Sequence, residues 1–220
     1  MDLLTVLLAI LGAAGVFFLV SFVMDIVKHK DDLGKENPVV GFFIGLVTDF
    51  FDTLGIGSFA PTTLLFKVTN FLDTDKKIPG TLNVAHTVPV LMEAFLFLTG
   101  VKVEGVTLFS IIASAIVGAL VGARIVNKLP EKKIQVTMGF ALIITAALMF
   151  ASKMGWLALL GANNTALHLT GIALIVGIVG NFIFGALMMA GVGLYAPCLA
   201  MVSLLGMDPK AAFPIMMGSC

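Results

Sequence analysis

Long apolar runs alternate with short polar joints along this chain. A helix that crosses a bilayer needs about 20 mostly apolar residues. Five segments have that length: 3–27, 82–101, 105–127, 134–152 and 167–188. Three shorter apolar runs, 38–51, 54–71 and 190–206, lie between them, and a further element starts near Pro209 and reaches Cys220. The first run exceeds the apolar core of a signal peptide, about 7–15 residues, and its first charge is Asp2 rather than a basic residue. It predicts a retained transmembrane helix.

The shorter runs carry a repeated phrase. Residues 54–61 read LGIGSFAP and residues 190–197 read AGVGLYAP. Gly55 matches Gly191, Gly57 matches Gly193, Phe59 matches Tyr195 and Pro61 matches Pro197, all at an offset of 136 residues. Glycine and proline are poor choices for a helix interior. One Gly-x-Gly could simply let two membrane helices pack closely. Two copies, each followed by an aromatic residue, Ala and Pro, favour a helix that stops inside the bilayer and restarts. Glycine ends a helix and proline suits the first turn of the next. The restarted helix points free N–H groups and its positive dipole end inward, which favours an anion without any lysine or arginine.

The polar joints sort by charge. Lys28, Lys30 and Lys35 lie in 28–37, Lys76 and Lys77 in 73–77, and Arg124, Lys128, Lys132 and Lys133 in 124–133. The joints near 101–104 and 153–167 have one lysine each, Lys102 and Lys153. The positive-inside rule places the first three in the cytoplasm and the other two outside, with Trp156 at the outer interface. The segment from residue 1 to 133 then crosses an odd number of times, and the unit from 134 to 220 begins on the opposite side. The prediction is an all-α, polytopic bundle in the plasma membrane. It is built from two inverted-topology repeats, each with a broken or re-entrant helix pair, as in secondary transporters. The second unit lacks counterparts for 88–127, so the expectation is that the chain is a piece of a longer protein.

Composition agrees. Apolar residues are 59% and charged residues 12% of the chain, against about 45–50% and about 25% in soluble domains. A net charge of +0 gives no basic surface for nucleic acid. No zinc-like Cys/His spacing or phosphate-binding loop occurs, so neither cofactor nor metal is expected. Cys198 and Cys220 are not expected to form a disulfide.

The stretches VVGFFIGLVTDFFDTLGIGSFAPTTLLF and VGNFIFGALMMAGVGLYAPCLAMVSLLGMDPKAAF resemble the two signature halves of the TauE/SafE group of sulfite and organosulfur exporters, also called the 4-toluene sulfonate uptake permease family. The resemblance covers nearly the whole chain. It implies a secondary carrier for a small sulfur-containing anion such as sulfite, a sulfonate or sulfoacetate. The chain departs from the glycine-richer first half of that family in its two aspartates.

Candidate site residues follow from polarity in apolar surroundings. Asp49 and Asp52 are three apart on one helix face, where an ionised carboxylate costs about 2.5–3.5 kcal/mol on insertion scales. They read as a proton-coupling pair, or as carboxylates tilted to a wet interface, with a sodium site as a weaker option. His86 and Asn83 open the helix after the first break and are candidate ion-coupling residues or interior hydrogen-bonding groups. Gly55, Gly57, Gly191 and Gly193 shape the substrate site. Ser58, Thr62 and Thr63 could donate to an anion or merely cap their helix. Tyr195 requires a partner, either ligand or carbonyl. The repeat partners of Ser58 and Thr62 are Leu194 and Cys198, so the site is asymmetric. Asn181 reads as glue between helices.

The partners expected are a small anion and the lipid bilayer, and a homodimer is compatible with the pattern. The leading function is secondary transport of a small anion, sulfite or an organosulfonate, with proton coupling as the role open to the aspartate pair. The competing ones are an intramembrane enzyme using Asp49 and Asp52, a passive channel, and a scaffold subunit.

Overall fold

The computed structural model describes residues 3–32, 34, 36–54, 56–156 and 163–220. All regular structure among them is helical: α1 Leu3–Lys28, α2 Pro38–Thr53, α3 Phe59–Val68, α4 Ile78–Gly100, α5 Gly105–Val126, α6 Glu131–Lys153, α7 Gly171–Met188, α8 Tyr195–Leu204 and α9 Ala212–Ser219. Short 3-10 turns precede α4 and α9. Among the described residues, four segments are long and apolar enough to span a membrane: α1, Asp75–Gly100 with α4, α5 and α7. The predicted span 134–152 lies within α6, which has 23 residues. Phe17, Ile143 and Ile172 are 74%, 68% and 80% exposed, as side chains facing acyl tails should be. The protein is a multi-pass membrane helix bundle.

The two 10-residue helices α3 and α8 rise only about 15 Å, half of the roughly 30 Å hydrocarbon core. Several backbone bonds around them recur at the offset of 136. Before the break, the Ile56 N–H reaches the Phe51 carbonyl at 3.2 Å, and the Val192 N–H reaches that of Leu187 at 3.3 Å. This is the helix-ending pattern that places a left-handed residue between, and Gly191 supplies it with φ +85°. After the break, Phe71 bonds back to Phe66 and Met207 to Val202, around left-handed Asn70 (φ 49°) and Gly206 (φ +89°).

Hydrogen bonds also tie the joints into two ends. At one end Glu131 accepts from the Thr74 hydroxyl (2.7 Å) and the Asp75 N–H (2.9 Å), Gln135 donates to Asp75 (2.8 Å), and Lys67 pairs with Asp75. At the other end the Glu104 N–H donates to the Leu167 carbonyl (2.9 Å) and the Asp208 N–H to that of Ala166 (2.9 Å). The Asn164 amide donates to the Ser203 carbonyl at 2.7 Å. These bonds hold 164–169 as a strap, so α7 begins at Gly171 rather than at 167. Joint 73–77 thus sits with 124–133, and 101–104 with the strap. Helix α3 runs from its break to the Lys67 end, whereas α8 runs from its break to the Ser203 end.

The tightest seam joins α5 to α7. A Cβ at Gly118 or Gly122 would strike the carbonyl of Phe182 or Ala186, and one at Gly185 that of Ala115. Small residues are what let membrane helices approach this closely. Asn181 locks the seam, donating to the Ile111 carbonyl (2.9 Å) and the Ser219 hydroxyl (2.8 Å).

Candidate functional site

The two breaks face each other. A Cβ built on Gly57 would meet the Tyr195 Cβ at 3.6 Å, and one on Gly193 would meet the Phe59 Cβ at 3.7 Å. Each glycine therefore packs on the aromatic residue of the opposite phrase. Neither α3 nor α8 has a side-chain cap: Ser58 and Leu194 occupy the cap positions without bonding the first turn. The first N–H groups of a helix have no partner within it. Thr62 N–H to Ser58 and Cys198 N–H to Leu194, both 3.0 Å, are the first backbone bonds of the two helices. A cavity of about 20 Å³ lies between the breaks, bordered by Ser58, Phe59, Val90, Thr145, Leu194 and Tyr195. That is room for about one water.

The polar groups come from α2, α3 and α4. His86 bridges two of them: its Nδ1 lies 2.5 Å from Asp49 Oδ1, and its Nε2 lies 2.9 Å from Thr62 Oγ1. The Thr62 hydroxyl donates to the Ser58 carbonyl at 2.8 Å. It has one proton, so with that proton committed it accepts from His86 Nε2. The Asp49–His86 contact then holds a second proton, which lies on either the carboxylate or the ring. His86 is 2% exposed and rests against Phe59, with ring centroids 5.9 Å apart.

Asp52 is one turn further along α2 and fully buried. Neither of its oxygens has a hydrogen-bond partner among the described residues, nor does the nearby Ser58 Oγ. Ser58 and Tyr195 lie close enough to influence the Asp52 carboxyl. Asp49 and Asp52 thus share a helix side, but Asp49 is engaged by His86 while Asp52 faces the break.

The other predicted residues divide. Gly57 has φ +87°, a conformation that resists any side chain; its counterpart Gly193 has no positive φ. Gly55 lies outside the described residues. The Thr62 and Thr63 hydroxyls are spent on the carbonyls of Ser58 and Phe59, leaving the Ser58 hydroxyl as the unengaged donor. Asn83 donates to the Pro79 carbonyl (2.7 Å) and the Met188 carbonyl (3.3 Å), tying α4 to the end of α7. Cys198 is buried on α8, and both cysteines are free. No group of three potential metal ligands occurs among the described residues.

Tyr195 takes no carbonyl among the described residues. Its hydroxyl is 3.4 Å from Glu93 Oε2 and 2.6 Å from Met217 Sδ. Glu93 was not among the residues predicted from sequence. It is a lone acid inside the apolar stretch PVLMEAFLF, only 5% exposed. The signal that singles out Asp49 and Asp52, a carboxylate in a membrane span, would have found it.

The family described as Sulfite exporter TauE/SafE matches the chain over residues 2–149. No curated protein and no solved structure matches it.

Proposed function

Because the chain belongs to the TauE/SafE family of sulfite exporters, we propose that it is a secondary carrier that moves a small sulfur oxyanion, sulfite or an organosulfonate, with a proton. The observation that supports this most is the meeting of the two breaks. Two uncapped helix starts, α3 and α8, approach one cavity from opposite ends of the bundle. In this reading 1–133 and 134–220 are inverted units, and the anion lies between the first turns of α3 and α8. It takes backbone N–H groups of Phe59, Ala60, Tyr195 and Ala196, together with the Ser58 hydroxyl.

Proton coupling follows from charge. An ionised Asp52 would repel an anion held at this break, and no lysine, arginine or histidine makes an ion pair with it among the described residues. A proton on Asp52 removes that repulsion, so anion and proton bind together. His86, between Asp49 and Thr62, is placed to relay the proton, because each of its nitrogens already has a partner with which to exchange it. The central cavity holds about one water, less than a sulfur oxyanion needs. The helix starts must separate to load and close again to release, as alternating access requires, and such tightness favours a carrier over an open channel.

Flux into proteoliposomes under an imposed proton gradient tests the reading. Sulfite or sulfonate should accumulate with the gradient and cease to do so in Asp49→Asn. Flux indifferent to the gradient would indicate a channel, and product formed without transport an intramembrane enzyme.

A further inference from the structure

A second cavity approaches the first break from the lysine end. It measures about 640 Å³ and runs between α3 and α6, bordered by Ala60, Thr63 and Lys67 on one side and by Gln135, Gly139 and Leu142 on the other. Ala60 also borders the central cavity, so one residue forms a wall of both. A water needs about 10–15 Å³, so this groove has room for a hydrated oxyanion, which the central cavity does not. A Cβ built on Gly139 would meet no described atom within 4 Å. At the mouth, one oxygen of Asp75 holds two donors: Lys67 Nζ pairs with Oδ2, and Gln135 Nε2 donates to the same atom at 2.8 Å. An ammonium and an amide converging on one oxygen make a receptor for an oxyanion, and the chain's own carboxylate fills it. The main chain of Asp75 is held separately. Its N–H donates to Glu131 Oε1 at 2.9 Å, and the Thr74 hydroxyl donates to that atom at 2.7 Å. The carboxylate can therefore turn away without moving the turn that bears it. The Lys67 side chain is 54% exposed, open to an anion from outside. On the other face of α6 lies a groove of about 750 Å³, and none of the described residues bordering it is charged. On α8, Ser203 stands where Lys67 stands on α3.

We propose that the α3–α6 groove is the anion's route between the lysine end and the central site, and that Lys67 and Gln135 receive the anion at its mouth by exchanging it for the Asp75 carboxylate. Asp75 is a tethered competitor. The arriving oxyanion takes its place on the two donors, and Asp75 turns to water. No proton moves and no covalent bond changes. From Lys67 the anion has seven residues of α3 to pass, about 10 Å, before it reaches the Ala60 N–H. When Asp75 returns to Lys67 it closes the mouth behind the anion. The mouth is consequently a place of passage, and the anion rests at the helix starts.

This rests on the carrier reading, and the test separates the two. Sulfite is presented to each face of proteoliposomes that hold the protein in one orientation. Asp75→Asn removes the competitor's charge and should lower the KM at the Lys67 face about threefold or more. Lys67→Gln should raise that KM by about the same factor, and Lys67→Arg should leave it near the unaltered value. Maximal flux and the KM at the opposite face should stay within about twofold. A pair that only holds the fold predicts lower melting temperatures and no gain in KM, so a KM unchanged or raised in Asp75→Asn overturns the proposal. Should that protein fail to fold, Gly139→Phe decides. Its ring enters the open space of the groove and should cut flux about tenfold or more with melting unchanged; flux like that of the unaltered protein overturns the proposal. Gradient-driven flux with none of these changes sinks the route and leaves the carrier. The same changes in a flux that ignores the proton gradient sink the coupling and leave the route, and no sulfite flux at all sinks both.

Discussion

The two breaks share a backbone and differ in chemistry. Each ends a helix with the same bond, Ile56 to Phe51 and Val192 to Leu187, and each short helix ends in the same way, Phe71 to Phe66 and Met207 to Val202. The side chains around the first are Asp49, Asp52, Ser58 and Thr62. At the matching positions of the second stand Gly185, Met188, Leu194 and Cys198. What both breaks have is a pair of free helix starts, which suits an anion. What only the first has is a set of titratable side chains, Asp49 and Asp52, with His86 against Asp49. In the proposed carrier the difference has a simple meaning: anion binding is built from main chain and so can survive in both halves, whereas coupling is built from side chains and needs only one. Gly185 shows the trade: in place of an acid, the second half has the residue that lets α7 lie against the Ala115 carbonyl of α5.

The largest expected effect lies in the acids. Asp52→Asn should reduce gradient-driven sulfite flux about a hundredfold or more, the range for loss of a positioned proton-transfer group. Met188→Leu, at the matching position, should change it less than about twofold. Equal losses in the two would break the comparison.

Next comes the hydroxyl that receives His86. Thr62→Val leaves His86 Nε2 without its acceptor in a buried site, at a cost of about 1–3 kcal/mol. Cys198→Ser gives the second helix a hydroxyl that can turn onto the Leu194 carbonyl as Thr62 does onto Ser58, and should stay within about 1 kcal/mol. Thermal unfolding in detergent measures both.

Backbone strain separates the glycines. Gly57→Ala forces a side chain into φ +87°, for roughly 1–2 kcal/mol, while Gly193→Ala adds a methyl in ordinary contact with Phe59 and should cost about 0.5 kcal/mol or less. The smallest contrast is at the far ends of the short helices. Asn70→Gly and Gly206→Asn exchange the two residues best suited to a left-handed helix end, and each should shift stability by no more than about 1 kcal/mol. The same melting measurement checks these pairs.

Much of this was legible in the chain because glycine and proline are out of place in apolar helices. The phrases at 54–61 and 190–197 mark the places where α2 and α7 stop, and both short helices begin at the aromatic residue that follows. The start of α7 was not legible. Hydropathy continues from 167, but residues 164–169 are held by bonds to Glu104, Ser203 and Asp208 that are distant in sequence. Spacing by three places Asp49 and Asp52 on one side of α2, yet it cannot say which partner each takes. That is decided by α4, which brings His86 across 37 residues to Asp49. Thr62 looks like an anion donor in sequence, but its proton goes to Ser58 once the helix forms. Glu93 was overlooked because attention fell on acids beside the glycine phrase, whereas its position depends on how α4 crosses both breaks.

The central claim is that one anion sits between the starts of α3 and α8. A structure solved with selenite, the heavier analogue of sulfite, tests it through the anomalous signal of selenium. The account predicts a single strong peak within about 4 Å of the backbone nitrogens of both Ala60 and Ala196. A peak beside the lysines of the joints, or against only one of the two helix starts, would contradict it.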